Sequence, residues 1–107
     1  FVHAGIRPRV PLEEQTGGDL RWIRSEFLDF RGNHGPIVVH GHTIVDDVDE
    51  RPNRIGIDTG AFASGRLTAL GLEGAQRWYL NTSSSRRLTS SARPRVRIML
   101  SSPVALT

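Results

Sequence analysis

Residues 38–43 read VVHGHT, with His40 and His42 on either side of a single glycine. A third histidine, His3 in FVHAGI, stands 39 residues before His42. Imidazole nitrogen is a good ligand for Zn, Mn or Fe. Two such rings brought together from separate strand ends can share one divalent ion. Whether His40 or His42 is the partner of His3 is not set by spacing. Strand residues two apart share a face while the strand lasts, but Gly41 tolerates turns that end the alternation. Asp58, in IDTGA, falls near a third strand end. In open α/β folds ligands gather at the carboxyl ends of strands, which groups His3, His42 and Asp58 on geometric grounds.

The elements that must position these groups can be read along the chain. FVHAGI (1–6) reads as a strand. RPRVPLEEQTGG (7–18) holds two prolines and a glycine pair and reads as a loop. Over 19–30, Leu20, Ile23, Phe27 and Phe30 recur at i, i+3, i+7 and i+10 and predict one helix with an apolar face. Asp19 is its expected cap. On a continuous helix Trp22 and Arg24 point to different sides. RGNHGP ends the helix, and the β-branched run IVVHGHT (37–43) predicts a buried strand. Residues 45–53 form a polar connection, 54–61 a short strand, 67–74 a strand, and 77–81 a closing strand. Gly60 and Gly65 read as turn positions. The late run VRIML (96–100) is left unplaced.

The chain has 107 residues, enough for one small domain. It opens at Phe1 as if a strand were already under way, so the expectation is a fragment with an upstream part missing. There is no cysteine, which excludes disulfides and thiolate metal sites and fits a reducing compartment, the cytoplasm. No apolar run approaches the roughly 20 residues of a membrane span. The charge is divided unevenly. Residues 1–74 carry 8 arginines against 11 acidic residues, while 75–107 carry 6 arginines and no acidic residue. The Ser/Arg-rich stretch 82–107 therefore reads as a solvated, poorly ordered tail. It lacks the aromatics interleaved with basic residues that single-strand binding uses, so a nucleic-acid partner is not expected.

Taken in order, FVHAGI, LRWIR, VVHGHT and RIGIDTGAFASGRLTAL resemble the C-terminal half of a calcineurin-like metallophosphoesterase. Within that superfamily the chain is most similar to the bacterial serine/threonine protein phosphatases and the related diadenosine tetraphosphatases. The resemblance covers residues 1–74 and extends at most to Leu80. It implies an α/β fold, a two-sheet β-sandwich flanked by helices, of which residues 1–81 are the C-terminal portion. It also implies a pair of divalent metals (Mn, Fe or Zn) at the strand ends. His3 in VHAG and His42 in GHT match the family's two histidine ligands to one ion. Arg24 in WIR matches the arginine that grips the substrate phosphate, for which a planar guanidinium is suited. The ligand lies between glycine and threonine, so the resemblance selects His42 and leaves His40 structural or in an outer layer. Asp58 either orients a ligand histidine or caps a turn. Trp22 either packs beside the site or is partly buried in the core.

The departures matter as much. The family's two early Gly-Asp motifs, its Asn-His motif and a second phosphate-binding arginine have no counterpart here. GNHG (32–35) stands in the wrong order, ends in Gly-Pro, and reads as a loop. The expected function is therefore the C-terminal portion of a phosphatase that hydrolyses phosphate esters with a metal-activated water, on a phosphoprotein. The alternatives are a dinucleoside polyphosphate hydrolase of the same superfamily and an inactive fragment with a basic interaction tail. The 107 residues alone are expected to be inactive. They are also expected to be marginal in stability or to self-associate through exposed strand surface.

Overall fold

The computed structural model describes residues 1–82 and the backbone of Ile98 and Met99. These form a mixed α/β arrangement of two three-stranded sheets and a few short helices. The helices are α1 (Gly17–Trp22), α2 (Ser25–Leu28) and α3 (Ala61–Ser64), with a 3-10 turn at Leu12–Glu14. The strands are β1 (Val38–His40), β2 (Asp49–Glu50), β3 (Arg54–Gly56), β4 (Thr68–Glu73), β5 (Gln76–Asn81) and β6 (Ile98–Met99). The first sheet has the order β1-β3-β2, with β1 parallel and β2 antiparallel to β3. The second is antiparallel throughout, in the order β5-β4-β6.

β1 explains why VVH is continuously apolar up to the histidine. Successive strand residues face opposite ways. Val38 joins Ala4, Ile6, Ile23 and Phe27 in one core cluster. Val39 joins Ile55, Ile57 and Leu70 in a second. A strand buried on both faces has no polar side to show. Leu70 belongs to β4, so the second cluster ties the two sheets together. Glu50 adds a polar clasp between them, accepting from Tyr79 Oη at 2.8 Å and pairing with Arg77 at 3.2 Å.

Several expectations need correcting. Residues 1–6 do not form a strand. They run beside β1 with a bend at His3 and Ala4 and are tied by two backbone bonds, Val2 N–H to Val39 O at 3.0 Å and Gly41 N–H to His3 O at 2.7 Å. The helix expected over 19–30 is two helices, because Ile23 is extended (φ −62°, ψ 145°) and Arg24 starts a new turn. The cap of α1 is Thr16, whose hydroxyl accepts from the Asp19 N–H at 3.2 Å, while Asp19 is taken by a two-point pair with Arg7. The polar connection 45–53 contains β2, and α3 follows β3; neither was foreseen. Of the unplaced VRIML, Ile98–Met99 pairs with β4. The reading of 82–107 as a poorly ordered tail falls, apart from Thr82, Ile98 and Met99, outside the described residues. Among the described residues no helix is long and apolar enough to cross a membrane.

Close packing fixes one glycine beside the site. A Cβ on Gly5 would lie 2.3 Å from a ring carbon of Phe27, so the chain following His3 can pass that ring only as glycine. Gly60 and Gly65 bracket α3 in the left-handed conformation, as expected of turn positions.

Candidate functional site

The strand ends at His40, and the next two residues separate the two histidines. His42 has φ +67°, a left-handed conformation uncommon outside glycine. It is held there by Asp58, whose Oδ2 accepts the His42 N–H at 2.9 Å. Asp58 Oδ1 accepts the Gly60 N–H at 3.0 Å. Asp58 therefore caps the turn, and its bond to the His42 N–H fixes the backbone there. From that position the His42 ring meets His3, with centroids 4.9 Å apart and planes tilted by 55°. His3 is brought there by the bond of its carbonyl to Gly41.

His42 Nε2 is buried and has no hydrogen-bond partner among the described residues. Burial lowers the pKa of His42, with the charges of Arg24 and His3 acting in the same sense and Asp58 opposing. A neutral imidazole keeps a lone pair, which is the form that binds a metal.

His40 faces the other way. Its ring packs edge-on against Phe27 at 4.9 Å and is 1% exposed. Arg54 Nη1 lies 3.0 Å from His40 Nε2. A guanidinium can only donate, so Nε2 is the acceptor and Nδ1 carries the proton. Nδ1 then donates to Gly41 O at 3.2 Å. Arg54 Nη2 in turn pairs with Asp49 Oδ2 at 3.1 Å. Both ring nitrogens are occupied, leaving no lone pair for an ion. Burial, reinforced by Arg54, pushes His40 down to about 4 against the opposing pull of the Gly41 bond and of Asp49 and Asp58. Its link to the histidine pair runs through the Gly41 backbone.

The break at Ile23 brings in two further residues. Ile23 is extended and buried in the first cluster. Residues on either side of an extended residue point away from it, to a common side. Trp22 and Arg24 accordingly converge instead of diverging as on one helix. Trp22 is 68% exposed, not partly buried in the core, and meets the His42 ring at 5.7 Å with the planes at 87°. Arg24 Nη1 donates to Thr43 Oγ1 at 3.3 Å, and its guanidinium is exposed. Thr43 was not singled out from sequence; its signal was its place directly after His42.

The remaining candidates lie elsewhere. His34 of GNHG is in a loop, its ring against Phe27 and Phe30 at 5.4 and 5.0 Å. Asn33 Oδ1 accepts the Gly35 N–H there. The acidic run 46–50 is largely engaged by arginines: Asp47 by Arg66, Asp49 by Arg51 and Arg54, and Glu50 by Arg77. The Asp46 carbonyl also accepts from Arg66.

The buried, unpartnered Nε2 of His42 beside the ring of His3 fits two ligands of one ion. Among the described residues, no group of three or more His, Cys, Asp or Glu side chains is placed to hold a metal. The pair is thus half of a usual ligand set. The chain matches no family model, no curated protein and no solved structure.

Proposed function

We propose that this chain carries the histidine pair and the phosphate grip of a metal-dependent phosphoesterase of the serine/threonine protein phosphatase type. The observation that supports it is the meeting of His3, His42 and Arg24 from three separate segments at one place. Those residues carry the resemblance, and each has a physical part there. His3 and His42 would hold one divalent cation, Mn, Fe or Zn, through imidazole nitrogens. When bound, the cation supplies charge that polarises a phosphoryl oxygen and lowers the pKa of water. Arg24 would grip two phosphate oxygens at once, and Thr43 steadies that guanidinium. Asp58 holds His42 in position. The bridging carboxylates and the group that protonates the leaving oxygen would come from residues outside the 107. Dinucleoside polyphosphate hydrolysis is the second reading within the same chemistry, and cytoplasmic location and self-association through exposed strand surface belong to the same proposal.

The test is Mn-dependent hydrolysis of p-nitrophenyl phosphate by a longer polypeptide that contains this chain and the remaining ligands. His42→Ala should abolish turnover while His40→Ala retains metal dependence. Arg24→Lys should not rescue Arg24→Ala, because lysine keeps the charge but loses the fork. Equal loss in the two histidine variants, with folding intact, would refute the assignment.

A further inference from the structure

The Trp22 indole is 68% exposed and meets the His42 ring at 5.7 Å. Its perpendicular contact with the imidazole covers at most one of its two flat faces. Ile23, extended and buried, sets Trp22 and Arg24 on a common side. A phosphate held by Arg24 would therefore carry its ester group past the open indole. We propose that Trp22 is a specificity residue of this site: its free face stacks on a planar ring attached to the phosphate, so that aryl or nucleoside phosphates are preferred to alkyl phosphates. The inference rests on the phosphoesterase reading for the place of the phosphate. Its own basis is the exposure and orientation of Trp22. Stacking of a base on an aromatic side chain tolerates many rings, since each has a π-face, and it alters affinity enough to be read directly.

The experiment is a titration of the 107-residue chain followed by NMR, with four probes: AMP, ribose 5-phosphate, phenyl phosphate and ethyl phosphate. AMP and ribose 5-phosphate differ in the base, and phenyl and ethyl phosphate in the ring on the ester oxygen. The two comparisons show which ring reaches the indole. At least one ring-bearing probe should bind roughly tenfold more tightly than its ringless counterpart. The Trp22 indole N–H signal should move with it while that of buried Trp78 does not. The preference should vanish in Trp22→Leu and persist in Trp22→Phe. A ring preference that survives Trp22→Leu, or no ring preference with phosphate binding intact, overturns the proposal and leaves the phosphate site standing. If none of the four probes perturbs the chain, or if Arg24→Ala binds them all as well as the unaltered chain, the phosphate grip assigned to Arg24 falls and this inference with it.

Discussion

His42 carries a backbone cost that His40 does not. A non-glycine residue in the left-handed region is strained by about 1–2 kcal/mol, and the Asp58 carboxylate holds it there. Glycine at this position would shed the strain and the ring together. His42→Gly should be at least as stable as the unaltered chain in urea unfolding, yet lose any response of this region to a divalent ion. His40→Ala should behave in the opposite way. It strips Arg54 Nη1 of its acceptor in a buried setting and opens a gap against Phe27. A loss of about 2–4 kcal/mol is expected. A destabilised His42→Gly would mean that the ring is there for packing. The pH dependence of stability belongs to His40 as well. Its pKa is pushed down to about 4 in the fold, against about 6.5 in an unfolded chain. Between those values the unfolded chain binds a proton that the folded chain does not. The contribution is complete above pH 6.5 and is lost as the pH falls through 4. The decline amounts to about 3 kcal/mol. Denaturant midpoints at pH 7, 5.5 and 4 should show it, and the slope should flatten in His40→Gln.

The break between α1 and α2 decides which residues surround His42. Of the spaced residues Leu20, Ile23, Phe27 and Phe30, Ile23 and Phe27 lie in the first core cluster and Leu20 packs against it, while Phe30 does not join it. An apolar period cannot report that Ile23 meets that core from an extended backbone. Nothing in LRWIRSEF forbids a continuous helix. What wins is tertiary: the Ala4 N–H bonds Leu20 O, and Arg24 reaches Thr43 on another segment. β2 was illegible for a similar reason. Asp49–Glu50 has two polar residues and is a strand only because β3 lies beside it. β1, β3, β4 and β5 were legible because their apolar and β-branched runs end at glycine or polar turns. The nearness of His3 and His42 was suggested by strand ends and motif order, and the place of Arg24 by motif order; the left-handed turn that carries His42 was not legible. IDTG did signal a turn, and the element scale has its own test there. Asp58→Ala leaves the N–H groups of His42 and Gly60 without this acceptor. It should cost about 2–4 kcal/mol in urea unfolding and weaken any metal response of His42 by roughly 10–100-fold. A variant as stable as the unaltered chain, with His42 unmoved in NMR spectra, would deny Asp58 this part.

At the scale of the whole molecule, β1 lies between two core clusters and delivers its two histidines to different fates. His40 follows the strand into the core beside Phe27. His42, past the turn, leaves it to meet His3. The same division separates two environments: Arg54 and Asp49 complete the first, and Arg24, Thr43 and Trp22 surround the second. With two ligands where a stable site takes about four, the 107 residues should bind Mn weakly and show no Mn-dependent turnover of p-nitrophenyl phosphate. Weak binding is still visible through the paramagnetism of Mn, so the measurement that tests the account most directly is a Mn titration of the four imidazoles by NMR. The side-chain signals of His3 and His42 should broaden together at substoichiometric Mn, and those of His34 and His40 should stay sharp. His42→Gly should abolish the broadening at His3. Broadening that begins at His34 or His40, or that reaches all four rings alike, would contradict the claim that His3 and His42 form the metal-binding pair.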